Sequence, residues 1–352
     1  PRSDDIDDWT HHCHGPDGNA VAMDRRVGPP RQLQWVQEPL YLRAHDTDSS
    51  VSCLVSSDGR LFYMVDDAPI SLPGDNQLPD AWHLTARDAF NGLLLWKIPV
   101  KEWGWREWKQ SWVKFRPDNF PINLNRRVVA VDDRVYATLG YQAPVSAIAA
   151  ASGEVLRTYP NTAGTREIIV HDGQLLLTVP DKDKLKLMAL HARTGAVAWQ
   201  TDAIYGGTDN ESKRQKLQLQ PVLNAAADSD IVCFLDGQRI VCLDRATGVP
   251  RWQEAVVSPK AKKRKANTSA ALRAGLLVVS NGVVVYSQPG AITALSAVDG
   301  QRLWSQATVG YQGLWFSWKD VFVIDGLVWT WSGRKGREPS AATGYDLRTG
   351  ES

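Results

Sequence analysis

The sequence predicts an all-β fold, a β-propeller of four-stranded blades, and three observations carry that prediction. Six times a short run of alternating apolar residues leads into a turn that ends in glycine, at Gly92, Gly153, Gly195, Gly248, Gly300 and Gly350. In four of the six a tryptophan follows four residues after the glycine: Trp96, Trp199, Trp252 and Trp304. The glycines lie 61, 42, 53, 52 and 50 residues apart, the irregular period of a repeated four-stranded unit whose insertions collect in its loops. Six signatures count six blades, within an expected range of six to eight.

The copies, in order, are His83–Lys97, Ala143–Tyr159, Leu187–Gln200, Arg239–Gln253, Ala291–Ser305 and Ala341–Ser352. In each, alternation gives a strand, an Asp-rich segment supplies the turn, and the residues after the glycine alternate again, so each copy is a hairpin. Aspartate caps such a turn with its own side chain and glycine supplies positive φ. The tryptophan that follows buries its ring between neighbouring sheets while its N–H finds a carbonyl. Recurrence from blade to blade suits packing better than one aromatic ligand platform, so these four rings are read as structural.

The A-x-D-x-x-T-G-x-x-x-W pattern, matched from its Asp onward in D-R-A-T-G-V-P-R-W at Asp244–Trp252 and in part elsewhere, resembles the tryptophan-docking motif of the pyrroloquinoline-quinone (PQQ)-type β-propeller repeat. That repeat is shared by quinoprotein alcohol dehydrogenases and by the propeller lipoprotein of outer-membrane protein assembly. The resemblance covers residues 31–352, and the phrasing of Gly59–Pro69 and Ala86–Leu93 is most similar to large propeller proteins of planctomycete-type bacteria. It implies export to the periplasm or cell surface. The adjacent-cysteine pair typical of the PQQ alcohol dehydrogenases is absent, so PQQ is not favoured as a cofactor, and the family's quinone and calcium ligands carry over to no position here.

Two ends of the chain hold complementary halves of a copy. Arg31–Gln37 contains Trp35 with no turn before it, whereas the last copy has Asp346, Thr349 and Gly350 with no tryptophan after them. Pairing of Gln32–Val36 beside Tyr345–Leu347 would close the ring and remove an exposed edge. A chain cut from a longer one would also leave that blade unfinished, and both readings stand. Residues 1–30 are read as a His-rich segment packed on the propeller, and residues 31–352 as the propeller. The start at Pro1, without Met or a signal-like apolar core, reads as a processed or trimmed form.

Composition narrows the function classes. A net charge of +1 across 352 residues gives no global field for nucleic acid, and no apolar run approaches the roughly 20 residues that span a bilayer. Lys260–Ser269 carries five cationic residues without interleaved aromatics and reads as a solvated loop rather than a nucleic-acid face. Cys233 and Cys242 flank the hairpin turn; with Asp236 and Gly237 as the turn pair the two are offset, and buried free thiols are expected.

Two irregular segments could carry chemistry. His11, His12, Cys13 and His14 are the densest set of possible metal ligands, and imidazole and thiolate suit zinc, copper or iron. Consecutive residues on an extended chain point to opposite sides, so a metal ion would take one or two of them, His11 and His14 foremost, with a distant partner; otherwise the segment packs on the propeller with Trp9 as anchor. The second segment holds Trp103, Trp105, Trp108 and Trp112 with Arg106 among them. Spacings of 3 and 4 put the last three tryptophans on one face of a helix. They form either a lid packed on the fold or the aromatic, cationic wall of a pocket. No phosphate loop, G-x-S-x-G elbow, H-E-x-x-H or paired-cysteine zinc pattern is present. The expectation is an exported module that binds a protein or glycan partner; the alternative is a metal- or cofactor-dependent propeller enzyme, a polysaccharide lyase or an oxidoreductase, with its site at the central channel.

Overall fold

The computed structural model of the chain describes residues 3, 5–28, 31–37, 51–68, 80–104, 107, 124–182, 184–202, 204, 223–236, 239–256, 275–288, 290–308, 320–332 and 341–352. Its contacts divide it into two compact units. The first comprises Pro1–His14, Ala22–Val170 and Leu177–Pro180; the second comprises Gly15–Val21, His171–Leu176 and Asp181–Ser352.

The fold class is the predicted one, an all-β propeller of antiparallel blades, with six signatures on six sheets. The first sheet is β1 (Val51–Ser57), β2 (Arg60–Asp66), β3 (Trp82–Asp88) and β4 (Leu94–Pro99), in that order. The second is β5 (Val128–Val131), β6 (Arg134–Thr138), β7 (Val145–Ala149) and β8 (Val155–Thr158), and the third β9 (Glu167–His171), β10 (Gln174–Asp181), β11 (Lys184–His191) and β12 (Val197–Gln200). The fourth holds β13 (Ala226–Ala227), β14 (Ile231–Asp236), β15 (Arg239–Asp244) and β16 (Pro250–Ala255). The fifth holds β17 (Leu276–Ser280), β18 (Val283–Gln288), β19 (Ala291–Ser296) and β20 (Arg302–Ala307). The sixth has three strands among the described residues: β21 (Val321–Ile324), β22 (Leu327–Ser332) and β23 (Ala341–Asp346).

Each signature is the turn that leaves the third strand of a sheet. The glycine N–H donates to the carbonyl four residues back, as in Gly92 to Asp88 (2.9 Å), Gly248 to Asp244 (2.8 Å) and Gly350 to Asp346 (2.9 Å). The aspartate side chain then caps the same turn: Asp244 Oδ1 accepts from the Thr247 N–H at 2.9 Å, and Asp346 Oδ1 from the Thr349 N–H at 2.8 Å.

The tryptophans dock on the next copy's turn. Within the first unit Trp35 lies against Gly92 and Trp96 against Gly153; within the second, Trp199 lies against Gly248, Trp252 against Gly300 and Trp304 against Gly350. Every one of these indoles donates Nε1–H to the carbonyl three residues before its glycine, at 2.9–3.0 Å: Ala89, Ala150, Arg245, Ala297 and Leu347. A methyl at position 248 would sit 2.5 Å from Trp199 Cδ2, and φ there is +72°, so glycine is required on both counts. Trp35 thus occupies a docking place, yet residues 32–36 form no strand, which corrects the strand expected there.

The hairpin of the fourth sheet corrects a second expectation. Asp236 pairs with Arg239, so Cys233 stands directly opposite Cys242 rather than offset from it. Both are free, fully buried thiols in the core between the fourth and fifth sheets, and burial raises the Cys233 thiol well above its ordinary value. Tertiary packing of a core shared by two sheets, not turn preference alone, sets this register.

The N-terminal segment serves the first strand of every sheet. In the first unit Trp9 and Thr10 carbonyls accept from the N–H groups of Ser56 (2.7 Å) and Ala130 (3.0 Å), and His11 Nε2 accepts from that of Val170 (3.0 Å). In the second unit the Pro16 and Asp17 carbonyls accept from Ala227 (2.8 Å) and Val279 (2.9 Å), while the Asn19 side chain brackets Val323. A first strand has no inner neighbour, and these bonds satisfy donors that its sheet leaves open.

Candidate functional site

The irregular loops of the first unit bring together a buried group of cationic and aromatic side chains. Four segments build it. The chain leaving β4 carries Trp103, a 3-10 turn at Leu124–Arg127 delivers Arg127 into the start of β5, and the loop between β6 and β7 carries Tyr141. Arg166 enters from the residue before β9. Backbone bonds fix the loops to one another: the Tyr141 N–H donates to the Glu102 carbonyl at 2.9 Å, and Arg127 Nη1 donates to the Tyr141 carbonyl at 2.8 Å.

The side chains stack. The Arg127 guanidinium carbon lies 4.7 Å from the Tyr141 ring centre and 5.8 Å from that of Trp103, and Arg166 lies 5.9 Å from Tyr141. Trp103 and Tyr141 meet edge to face at 6.2 Å. Arg127 is 1% exposed, Tyr141 3% and Trp103 5%, so the two positive charges share a largely dehydrated space. Burial pushes the Arg127 guanidinium down from its ordinary value, and the charge of Arg166 pushes it further; burial lowers Arg166 as well. The Tyr141 hydroxyl is raised by burial, with both guanidiniums pulling the other way.

Two neighbouring residues show a different arrangement. Arg126 Nη1 donates to Glu167 Oε1 at 2.6 Å, and Thr178 Oγ1 donates to Glu167 Oε2 at 3.3 Å. The buried carboxylate next to Arg166 in sequence is therefore committed to Arg126. On Arg166 itself, Nε and Nη1 are buried with no hydrogen-bond partner among the described residues. A buried guanidinium nitrogen without an acceptor is costly, and its natural complement is an oxyanion.

Of the residues expected to form the aromatic wall, Trp103 belongs to this group, as a buried core ring. Trp105, Arg106, Trp108 and Trp112 lie outside the described residues, as does Lys260–Ser269. His11 and His14 lie elsewhere in the first unit and both bond within the fold. His11 is bonded through Nε2 to the Val170 N–H and through Nδ1 to the Thr10 hydroxyl (2.7 Å). His14 Nε2 meets Asp7 Oδ2 at 2.7 Å, with the ring set edge-on to Trp9. Among the described residues no three His, Cys, Asp or Glu side chains converge as metal ligands do.

The profile of the family described as outer membrane protein assembly factor BamB matches residues 81–339. The chain belongs to that family. No sequence among the curated proteins compared matches it. Solved structures share its fold at low identity: BamB from Moraxella catarrhalis (TM-score 0.50, 14% identity, 87% of this chain and 90% of that one), a europium-containing methanol dehydrogenase (0.53, 12%, 86% and 58%) and the quinohemoprotein alcohol dehydrogenase from Comamonas testosteroni (0.51, 13%, 85% and 59%). The chain thus spans under two-thirds of either dehydrogenase. No two cysteines of this chain are adjacent in sequence, and Cys233 and Cys242 face each other inside a buried core.

Sequence reasoning missed Arg127, Tyr141 and Arg166. The signal was present in N-R-R-V-V-A-V at 125–131 and R-E-I-I-V at 166–170, where arginine stands immediately before a mostly apolar first strand. A cation at the mouth of a buried strand must find an acceptor or an aromatic face.

Proposed function

We propose that the protein is an exported propeller that binds a protein or glycan partner through its irregular loops and performs no reaction of its own. The family profile over residues 81–339 carries this reading, because the relative that gives the family its description is an assembly factor. The repeated indole–glycine contacts support a tryptophan-docking role for the repeat, a rigid frame that leaves recognition to the loops. Location in the periplasm or at the cell surface follows the same family association.

The test is a cross-linking and co-purification experiment on the full chain expressed in the envelope of a bacterial host, paired with elemental analysis and an absorption spectrum of the purified protein. The binding reading expects one saturable, stoichiometric envelope partner or glycan. Stoichiometric metal or a bound chromophore together with turnover of an alcohol or a polysaccharide would replace it with the enzyme reading.

A further inference from the structure

We propose that the cleft between the fourth and fifth sheets is a binding site for a neutral sugar residue carried on a glycan. The inference rests on the binding function proposed above and gives its partner a chemistry.

The cleft has a volume of about 300 Å³, at the lower end of the range of about 300–1,000 Å³ in which small-molecule sites fall. Three hydroxyl side chains stand directly opposite one another along its fifth-sheet wall: Tyr286 on β18 pairs with Thr293 on β19, and Thr293 with Ser305 on β20. Thr293 Oγ1 and Ser305 Oγ share a hydrogen bond at 3.0 Å. From the other side β16 brings Glu254, whose Oε1 accepts from Arg302 Nη2 at 3.4 Å. These two are the charged residues of the lining. One cation and one anion, paired with each other, leave the cleft without net charge, which disfavours an ionic ligand. Hydroxyls, a carboxylate and a guanidinium together offer both donors and acceptors to the hydroxyls of a sugar. Ile240, Val256 and Leu295 supply apolar surface for its C–H groups.

Tyr286 is the side chain whose surroundings call for a ligand. It is 6% exposed, its hydroxyl has no hydrogen-bond partner among the described residues, and burial alone pushes that hydroxyl up to about 12. The first sheet shows the same position satisfied. There Tyr63 stands opposite Thr85 as Tyr286 stands opposite Thr293, and the Tyr63 hydroxyl accepts from Arg87 Nε at 2.8 Å. Arg87 lies two residues beyond its threonine; the residue in that place on β19 is Leu295, which can donate nothing. A polar group so buried is costly when left unpaired, and a sugar hydroxyl supplies the missing bond. The ring is already in place: a side chain at Gly275 would run into it, and Asn224 Nδ2 holds the Gly275 carbonyl at 3.0 Å.

The experiment is titration calorimetry of the full chain with glucose, galactose, mannose, N-acetylglucosamine, cellobiose and maltose, with glucuronate as the charged comparison. Wild type is expected to bind at least one neutral sugar saturably, and more tightly than glucuronate. Tyr286→Phe keeps the ring and is expected to bind on the order of tenfold more weakly, while melting at or above the wild-type temperature because no internal bond is lost. Tyr63→Phe should do the reverse, melting lower and binding as wild type does. Ala255→Phe, an exposed position on the cleft wall, should block binding by filling the space. Equal binding by wild type and Tyr286→Phe, tighter binding of glucuronate than of every neutral sugar, or no saturable binding by wild type overturns the site. Capture of a protein partner that Ala255→Phe abolishes, with no sugar bound, gives the cleft to a peptide and overturns it as well. An envelope partner held through other surfaces would leave the binding function standing after such a failure. Sugar binding accompanied by turnover of a polysaccharide would keep the site and overturn the non-catalytic reading.

Discussion

Asn19 exchanges two hydrogen bonds with the peptide of Val323: its Nδ2 donates to the carbonyl at 2.9 Å and its Oδ1 accepts from the N–H at 2.9 Å. A side-chain amide here stands in for a paired strand, since it offers the same donor and acceptor at the same spacing. It ends a run in which Trp9, Thr10, His11, Pro16 and Asp17 each serve the first strand of another sheet.

Asn19→Asp keeps one acceptor oxygen for the Val323 N–H but turns the donor into a second acceptor facing a carbonyl. Asn19→Leu removes both bonds. Each variant is expected to lose about 1–3 kcal/mol, the cost of leaving buried backbone groups without partners, with urea denaturation as the measurement. A loss confined to Asn19→Leu, with Asn19→Asp unchanged, would show that the bond to the Val323 carbonyl contributes nothing.

The contact between Trp199 and Gly248 makes a coupled pair. Truncating a buried indole costs about 3–5 kcal/mol, so Trp199→Ala should lower stability by that order. Gly248→Ala should also destabilise, because its methyl would meet the indole at 2.5 Å and its φ is positive. Once the indole is gone the methyl has room, so the double variant should lose less than the sum of the singles. Additive losses would mean that backbone strain alone, not the ring contact, makes glycine necessary at position 248. Trp35→Ala should cost less than Trp199→Ala, since Trp35 is only half-buried.

These pairs explain how much could be read from sequence. The six turns were legible because Asp, Thr and Gly make a turn by local chemistry, and the four following tryptophans announced a burial place by size. The place itself, the next copy's turn, lies 43–54 residues away and is fixed by packing of one sheet on another. Local turn preference misled at Cys233, where a core shared by two sheets sets the register. Tyr141 and Arg166 are ordinary residues in sequence, and only the loops that bury them beside Arg127 give them a chemical role.

Asp244 supplies a pH test of the turns. Hydrogen bonds from Arg251 (2.7 Å) and from the Thr247 side chain and N–H hold its carboxyl down at about 2, against an ordinary 3.8. A carboxylate depressed in the folded state contributes stability that is complete above its unfolded value and lost as pH falls through its folded one. Stability from this turn should therefore be full above about pH 4 and vanish toward pH 2. Asp244→Asn should flatten that part of the acid limb. The effect is expected to be small, because the pair is partly exposed, with side chains 35% and 28% accessible. Denaturant midpoints at pH 5, 4, 3 and 2 decide it; an unchanged acid limb in Asp244→Asn would show that the turn does not depend on this charge.

Arg126 and Arg166 should respond to the same substitution with opposite signs. Arg126 neutralises Glu167, whose side chain is 2% accessible; replacing it with glutamine strands a buried carboxylate, a change that costs about 3–5 kcal/mol where such a pair is broken. Arg166 instead places a second positive charge beside Arg127, and two of its own nitrogens have no acceptor among the described residues. Arg166→Gln removes both penalties while keeping part of the side chain's bulk. In chloride alone the Arg166 variant should therefore melt at or above the wild-type temperature, and the Arg126 variant well below it. Melting curves of the three proteins read both effects at once. If Arg166→Gln were as destabilised as Arg126→Gln in chloride, Arg166 would be a structural cation with a satisfied environment.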